Sequence, residues 1–139
     1  MRRNRSVPDA AVIPVLGYPD VPAAARWLCD AFGFTERLRI ADHRVQLTYE
    51  GGALVVAHAE AAAGERIGHS MLVRVEDADA HCARAEAAGA RITQRPTDHA
   101  YGERQYSAVD PGGHRWTFSQ TIADADPAEW GGELVSPAE

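Results

Sequence analysis

The spacing of apolar residues changes along the chain in an order that occurs twice. The first occurrence begins with the apolar run at residues 12–18, followed by Asp20, a residue type that caps helix N-termini. The apolar spacing is then helical up to Gly33, which is typical of a helix C-terminus. One buried helix face is predicted by apolar residues at i, i+3, i+4 and i+7, namely Ala24, Trp27, Leu28 and Ala31.

After this helix the pattern becomes that of extended chain. Three strands are predicted at residues 37–41, 45–49 and 53–58, and Gly51-Gly52 marks the turn before the last of them. The first half of the chain is therefore predicted to be a strand, a helix and three strands, a βαβββ unit.

The second occurrence follows the same order. It has a predicted strand at residues 71–75, Asp77 as helix N-cap and a helix that ends at Gly89. A turn at residues 110–113 joins the last two of its strands. The three strands after the helix are predicted at residues 91–94, 104–109 and 115–120.

Two such units predict an α+β fold within a single domain of 139 residues. The two βαβββ modules are expected at residues 11–60 and 69–121, with a C-terminal extension at 122–139 that is rich in Pro, Gly and acidic residues. The tandem modules are expected to place a curved mixed sheet around a cleft, with the helices on its outer side.

Charge and composition exclude several classes of partner and chemistry. The net charge of −6 disfavours nucleic acid, and no apolar run has the length of a membrane span. The basic N-terminus is not followed by a long apolar stretch, so a cytoplasmic location is expected. All 14 basic residues are Arg, which excludes lysine-dependent chemistry. Cys29 and Cys82 are expected to be buried, reduced thiols.

Four stretches carry a resemblance to a known family. Residues 13–20 and 25–34 resemble the opening half of glyoxalase-like proteins, and residues 73–80 resemble the start of the second half. Residues 101–118 are similar to the closing strand pair of the bleomycin-resistance-like and PhnB-like branch. The chain thus resembles the vicinal oxygen chelate superfamily, which includes glyoxalases, bleomycin-resistance proteins and dioxygenases. The resemblance extends over about residues 11 to 120 and implies the paired βαβββ fold.

The resemblance also indicates where metal-binding members hold their ion. The two leading positions fall on Ile13 and Ser70, and the closing position of the second half falls on Thr117. The fourth position, near His58, has no clear counterpart. Ile has no donor atom, and Ser or Thr hydroxyls are poor ligands beside imidazole, carboxylate or thiolate. Neither a metal nor another cofactor is therefore expected.

An atypical metal site remains an alternative at this stage. His58 could face the cleft, and His69 is next to one of the expected ligand positions. Together with Glu103 they would make a three-residue set, although no motif spacing supports it.

Strand alternation predicts which side chains line the cleft. If Ile13, Ser70 and Thr117 face inward, their alternate neighbours do so as well, while Leu16, Val73, Trp116 and Phe118 pack beneath the helices. The cleft is expected to be mainly apolar, with a few hydroxyls and guanidinium groups. The residues predicted to bind a ligand are Ile13, Val15, Tyr49, Ser70, Leu72, Arg74, Arg104, Tyr106, Arg115 and Thr117.

Three functions are compatible with these features. The resemblance implies first a homodimeric protein that binds or sequesters an amphipathic or aromatic small molecule, as in antibiotic resistance. The second is a lyase or isomerase of the same superfamily that works without a metal or with an atypical one, with His58 or Glu103 as proton carrier. The third is a structural or regulatory dimer without a ligand. The sequence leaves open whether the chain is an enzyme.

Overall fold

The computed structural model describes residues 4–60 and 69–134. The first half contains one helix and four strands: β1 (Val15–Tyr18), α1 (Val21–Phe32), β2 (Thr35–Ile40), β3 (Arg44–Tyr49) and β4 (Gly52–His58). The second half repeats this order: β5 (Met71–Arg74), α2 (Ala78–Ala87), β6 (Arg91–Asp98), β7 (Glu103–Val109) and β8 (Arg115–Thr121). The repeated βαβββ order predicted from the sequence is confirmed.

The strands form two four-stranded mixed sheets with the same topology. Their orders are β1-β4-β3-β2 and β5-β8-β7-β6, so the first and last strands of each half pair in parallel. The other neighbouring strands pair antiparallel. The predicted mixed sheet is therefore present as two separate four-stranded sheets, one from each module.

Both helices begin where the sequence predicts, and α1 ends at Gly33 as predicted, whereas α2 ends at Ala87, two residues before the predicted Gly89. The Asp20 carboxylate accepts a hydrogen bond from the Ala23 backbone N–H at 3.1 Å, and Asp77 does the same for Ala80 at 3.0 Å. Gly33, which follows α1, has a φ of 84°, a left-handed conformation that favours glycine. The capping side chains therefore fix both helix starts through the same local interaction.

The core lies between the two helices and one face of each sheet. Phe32 at the end of α1 joins the halves, because its ring centroid lies 5.1 Å from that of Trp116 and 4.8 Å from that of Phe118. Leu16, Trp116 and Phe118 are buried and Val73 packs against them, as predicted. We call the sheet faces that turn away from the helices the open faces.

Two segments differ from the prediction or extend it. Strand β6 continues beyond residue 94 to Asp98 and includes Pro96. Proline is tolerated here because β6 is an edge strand, which has a neighbouring strand on one side only. In the C-terminal extension, residues Pro127–Trp130 form a short 3-10 helix. The ring centroid of Trp130 lies 5.6 Å from that of Tyr101, which attaches the extension to the body.

Parts of the predicted domain and extension, residues 1–3 and 135–139, lie outside the described residues. Within the described part of the chain, no helix is long and apolar enough to cross a membrane.

Candidate ligand-binding site

A groove of about 560 Å³ lies on the open face of the second sheet. Most of its lining side chains carry a hydroxyl, amide, imidazole or guanidinium group. The lining residues are His69, Ser70, Thr93, Gln94, Ser107, Ala108, Arg115, Trp116 and Thr117. We call this feature the polar groove. It differs from the mainly apolar cleft that the sequence predicts.

Strand pairing brings the hydroxyl groups of the polar groove together. Leu72 of β5 and Ser107 of β7 are both register partners of Thr117 on β8. Paired residues point to the same side of a sheet, so all three side chains lie on the open face. The Oγ of Ser107 and the Oγ1 of Thr117 are 2.9 Å apart and form a hydrogen bond. Thr117 therefore contributes a hydroxyl that a ligand can contact.

A second polar network continues along the same face. Ser119 donates a hydrogen bond to Oε1 of Glu103 at 2.7 Å and accepts one from Nε2 of Gln105 at 3.0 Å. Oε1 of Gln105 accepts a hydrogen bond from the Tyr101 hydroxyl at 2.9 Å. These bonds fix the side-chain orientations on this part of the sheet, including that of the Glu103 carboxylate.

A separate, mostly apolar pocket of about 320 Å³ opens between the two sheets. Aromatic rings from both modules form part of its wall, with centroid distances of 5.6 Å for Phe34–Tyr49 and 5.7 Å for Phe34–Trp116. We call it the apolar pocket, and its lining residues are Pro14, Phe34, Tyr49, Glu50, Gly52, Ala53, Leu54, Met71, Leu72, Val73, Arg74 and Trp116. Trp116 lines both cavities, so the two sites are neighbours.

The residues predicted to bind a ligand are divided between these sites. Ser70, Arg115 and Thr117 line the polar groove. Tyr49, Leu72 and Arg74 line the apolar pocket, and the Arg74 guanidinium donates a hydrogen bond to the Thr121 hydroxyl at 3.2 Å.

Ile13 and Val15 are not among the lining residues of either cavity. Val15 lies on the first strand, 54% exposed, and Ile13 precedes it. Of the residues predicted in the first half, Tyr49 therefore shares a cavity with the second half, whereas Ile13 and Val15 do not.

Arg104 and Tyr106, which are also predicted to bind a ligand, point to the helix side of the second sheet and line neither the polar groove nor the apolar pocket. Tyr106 is 0% exposed because it pairs with the core residue Phe118. Arg104 points the same way and forms ion pairs with Asp98 at 2.7 Å and Asp79 at 3.0 Å. Because side chains alternate along a strand, both residues point to the same side of β7 as its core residues. The register between β7 and β8 shows which side this is.

His81 is not among the functional residues predicted from the sequence, and its side chain is half-buried against the core rings of Phe32 and Phe118. Its Nδ1 lies 2.5 Å from the Tyr106 hydroxyl, and its Nε2 lies 3.1 Å from the Phe32 carbonyl oxygen. Burial lowers the pKa of His81 and raises the pKa of Tyr106 well above its usual range. The helical spacing could have predicted this burial. His81 is three residues after Ala78 and one residue before Cys82, and both of these residues lie on the buried face of α2.

The alternative metal set is not assembled. His58 is the register partner of Tyr18, which places it on the helix side of the first sheet, whereas His69 lines the polar groove of the second. Glu103 is bound to Ser119. Across residues 4–60 and 69–134, no three His, Cys, Asp or Glu side chains are grouped so that they could hold a metal ion.

Two βαβββ modules, each with its first and last strands paired in parallel, define the class of fold. The sequence profile of one protein family also matches the chain. The profile of the Glyoxalase/Bleomycin resistance protein/Dioxygenase superfamily covers residues 11–118 of the chain. The chain therefore belongs to this superfamily.

Solved structures agree with this assignment. TioX from Micromonospora sp. ML1, which has a crystal structure, is 33% identical to this chain in sequence. The two structures superpose with a TM-score of 0.68, and the match covers 80% of this chain and 98% of the TioX chain. A glyoxalase-related enzyme from Fulvimarina pelagi is 20% identical, with a TM-score of 0.67 and coverage of 79% and 86%. The second likeness supports the fold alone. No functionally curated protein matches the chain in sequence.

Proposed function

We propose that this protein binds an amphipathic small molecule that lies across the polar groove and the apolar pocket. The observation that carries the proposal is the shared wall at Trp116, with hydroxyl groups on one side and aromatic rings on the other. A ligand with a ring system and several hydrogen-bonding groups would match both sides. The combined volumes, about 560 and 320 Å³, lie in the range of sites for drug-sized molecules.

Binding without catalysis is favoured over the metal-independent lyase or isomerase. His58 and Glu103, the two candidate proton carriers, belong to different sheets, and His58 lies on the helix side. A general acid or base must lie within hydrogen-bonding reach of the reacting atom. Glu103 is not among the lining residues of the polar groove, and it accepts a hydrogen bond from the hydroxyl of Ser119 rather than from a second ionisable group.

The proposal includes a site that works without a metal ion. The positions that the superfamily uses for metal ligands correspond here to Ile13, Ser70 and Thr117, and Thr117 is already paired with Ser107. Titration with Zn²⁺, Ni²⁺, Mn²⁺ and Fe²⁺ is therefore expected to give no saturable thermal stabilisation. Saturable stabilisation with about one ion per chain would contradict this part of the proposal and make His69 the first residue to replace.

We also propose that the protein acts as a homodimer. Strands β1 and β5 are both at the edges of their sheets, and each carries a large exposed apolar residue, Val15 at 54% and Leu72 at 67%. Unpaired edges with exposed apolar side chains are typical of surfaces that another chain covers. A second copy would supply the open face of a first sheet to the polar groove, whose lining among residues 4–60 and 69–134 comes from the second module.

Ligand binding is tested with 8-anilinonaphthalene-1-sulfonate, an amphipathic aromatic anion. The wild-type protein is expected to bind it saturably near one molecule per chain, and Ser107→Phe, which fills the polar groove, is expected to weaken binding at least about tenfold. Thr35→Phe is the matched control, because it adds the same ring at an exposed position of the first sheet. Equal binding by all three proteins would contradict the proposed site.

A further inference from the structure

The N-terminal segment, residues 4–10, lies against the open face of the first sheet. Gln46 of β3 points to this face, since its neighbours Val45 and Leu47 face the helices, and it is only 6% exposed. Its Nε2 donates a hydrogen bond to the Ser6 carbonyl oxygen at 2.9 Å. A buried side-chain amide of a strand thus recognises the backbone of a distant part of the chain.

A second donor recognises the neighbouring carbonyl. The pairing of β2 with β3 shifts register between Glu36 and Leu38, which leaves Arg37 as an additional residue in the strand. Such irregularities redirect a side chain. The Arg37 guanidinium donates through Nη1 to Oε1 of Gln46 at 2.6 Å and through Nη2 to the Arg5 carbonyl oxygen at 2.9 Å.

The two donors form one arrangement with a defined polarity. Because Oε1 of Gln46 accepts from Arg37, the amide of Gln46 must present Nε2 to the incoming carbonyl. The pair therefore offers two N–H donors to two successive peptide carbonyls, those of Arg5 and Ser6. Residues 4–7 form a turn that is closed by a hydrogen bond from the Val7 backbone N–H to the Asn4 carbonyl oxygen at 3.1 Å. Pro8, which follows the turn, is buried, whereas Val7 and Asp9 are exposed.

We propose that Arg37 and Gln46 form a binding site for a peptide turn, which the N-terminal segment of the same chain occupies. The bound chemistry is two successive peptide carbonyls followed, within three residues, by a proline ring. A peptide of this kind on another molecule would compete with the tethered segment. Neither Arg37 nor Gln46 is among the lining residues of the polar groove or the apolar pocket of the same chain.

The occupied state is tested by trypsin cleavage after Arg5, followed by mass spectrometry on the full-length protein. Arg37→Met removes the donor to the Arg5 carbonyl and is expected to accelerate this cleavage about tenfold relative to the wild type. Arg39→Met is the matched control, since Arg39 is on the same strand but forms an exposed ion pair with Glu36. Equal cleavage of all three proteins would overturn the proposal.

The peptide specificity is tested with the acetylated, amidated peptide of residues 4–10 and calorimetric titration. Pro8→Asp should release the segment while leaving Arg37 and Gln46 intact, so this full-length variant is expected to bind the peptide at least about tenfold more tightly than the wild type. Val7→Asp, at an exposed neighbouring position, is expected to behave as the wild type. Absence of binding by Pro8→Asp, or unchanged binding when Arg37→Met is added, would overturn the proposal.

Discussion

The hydroxyl of Tyr18 donates a 2.6 Å hydrogen bond to Oδ2 of Asp110 and so connects β1 of the first module to the turn before β8 of the second. Asp110 is 4% exposed and accepts three further hydrogen bonds from its own module. These come from Trp116 Nε1 at 3.0 Å and from the backbone N–H groups of Gly112 at 2.9 Å and His114 at 3.0 Å. The buried carboxylate is thus fully surrounded by donors, and the Tyr18 hydroxyl is the donor that crosses between modules.

Replacing Tyr18 by Phe should remove only this connection. We expect the free energy of unfolding, measured by urea titration, to fall by about 1.5–3 kcal/mol, the usual contribution of a hydrogen bond to a charged group. Tyr101→Phe is the matched control, because the Tyr101 hydroxyl bonds to Gln105 at an exposed position. A loss for Tyr18→Phe no larger than that of the control would contradict an energetic role for the Tyr18–Asp110 bond.

The same bond predicts a loss of stability at high pH. Burial, the nearby Asp110 charge and the hydrogen bond to it raise the pKa of Tyr18 far above its ordinary value of 10. In the unfolded chain the phenol ionises from pH 10 upward, so the stability it contributes is present below pH 10 and is lost as the pH rises further. We expect the unfolding free energy to fall above pH 10, by up to about 1.4 kcal/mol per pH unit for this group. A slope that Tyr18→Phe leaves unchanged would contradict this assignment.

His81 predicts a loss of stability on the acid side. Burial lowers its pKa below the ordinary value of 6.5, so the unfolded chain binds the proton more readily than the folded protein. The contribution is present above pH 6.5 and is lost as the pH falls toward the lowered folded pKa. Urea titrations between pH 7 and pH 5 should show a decrease that His81→Gln reduces, whereas His43→Gln, at an exposed turn, should not. Equal pH dependence in both variants would contradict the role of His81.

The sequence predicted the elements of the fold because their signals are local. The carboxylates of Asp20 and Asp77 cap the helices by accepting hydrogen bonds from backbone N–H groups three residues further on, and Gly33 ends α1 with a left-handed conformation. The core assignments of Trp116 and Phe118 follow from simple alternation along one strand. These features need no knowledge of the rest of the molecule.

The candidate site was predicted only in part because it depends on how strands pair. Thr117, Ser70 and Arg115 were found from the resemblance and the alternation, and they share the polar groove. The face of Tyr106 depends on the register between β7 and β8, which no short stretch encodes. The hydrogen bond between Gln46 and Ser6 joins residues that are 40 positions apart, and no sequence pattern in either segment predicts it.

The proposed dimer predicts that the exposed apolar residues at the edge strands hold two chains together. Leu72→Lys places a charge on β5, and we expect sedimentation equilibrium to report a dimer dissociation constant raised at least about tenfold. Val15→Lys on β1 should act in the same direction, because both strands are at sheet edges. Leu134→Lys is the control, since Leu134 is 69% exposed and belongs to the C-terminal extension rather than to β1 or β5. A wild-type protein that sediments as a monomer at all concentrations would contradict the dimer. It would also mean that the second sheet alone forms the polar groove.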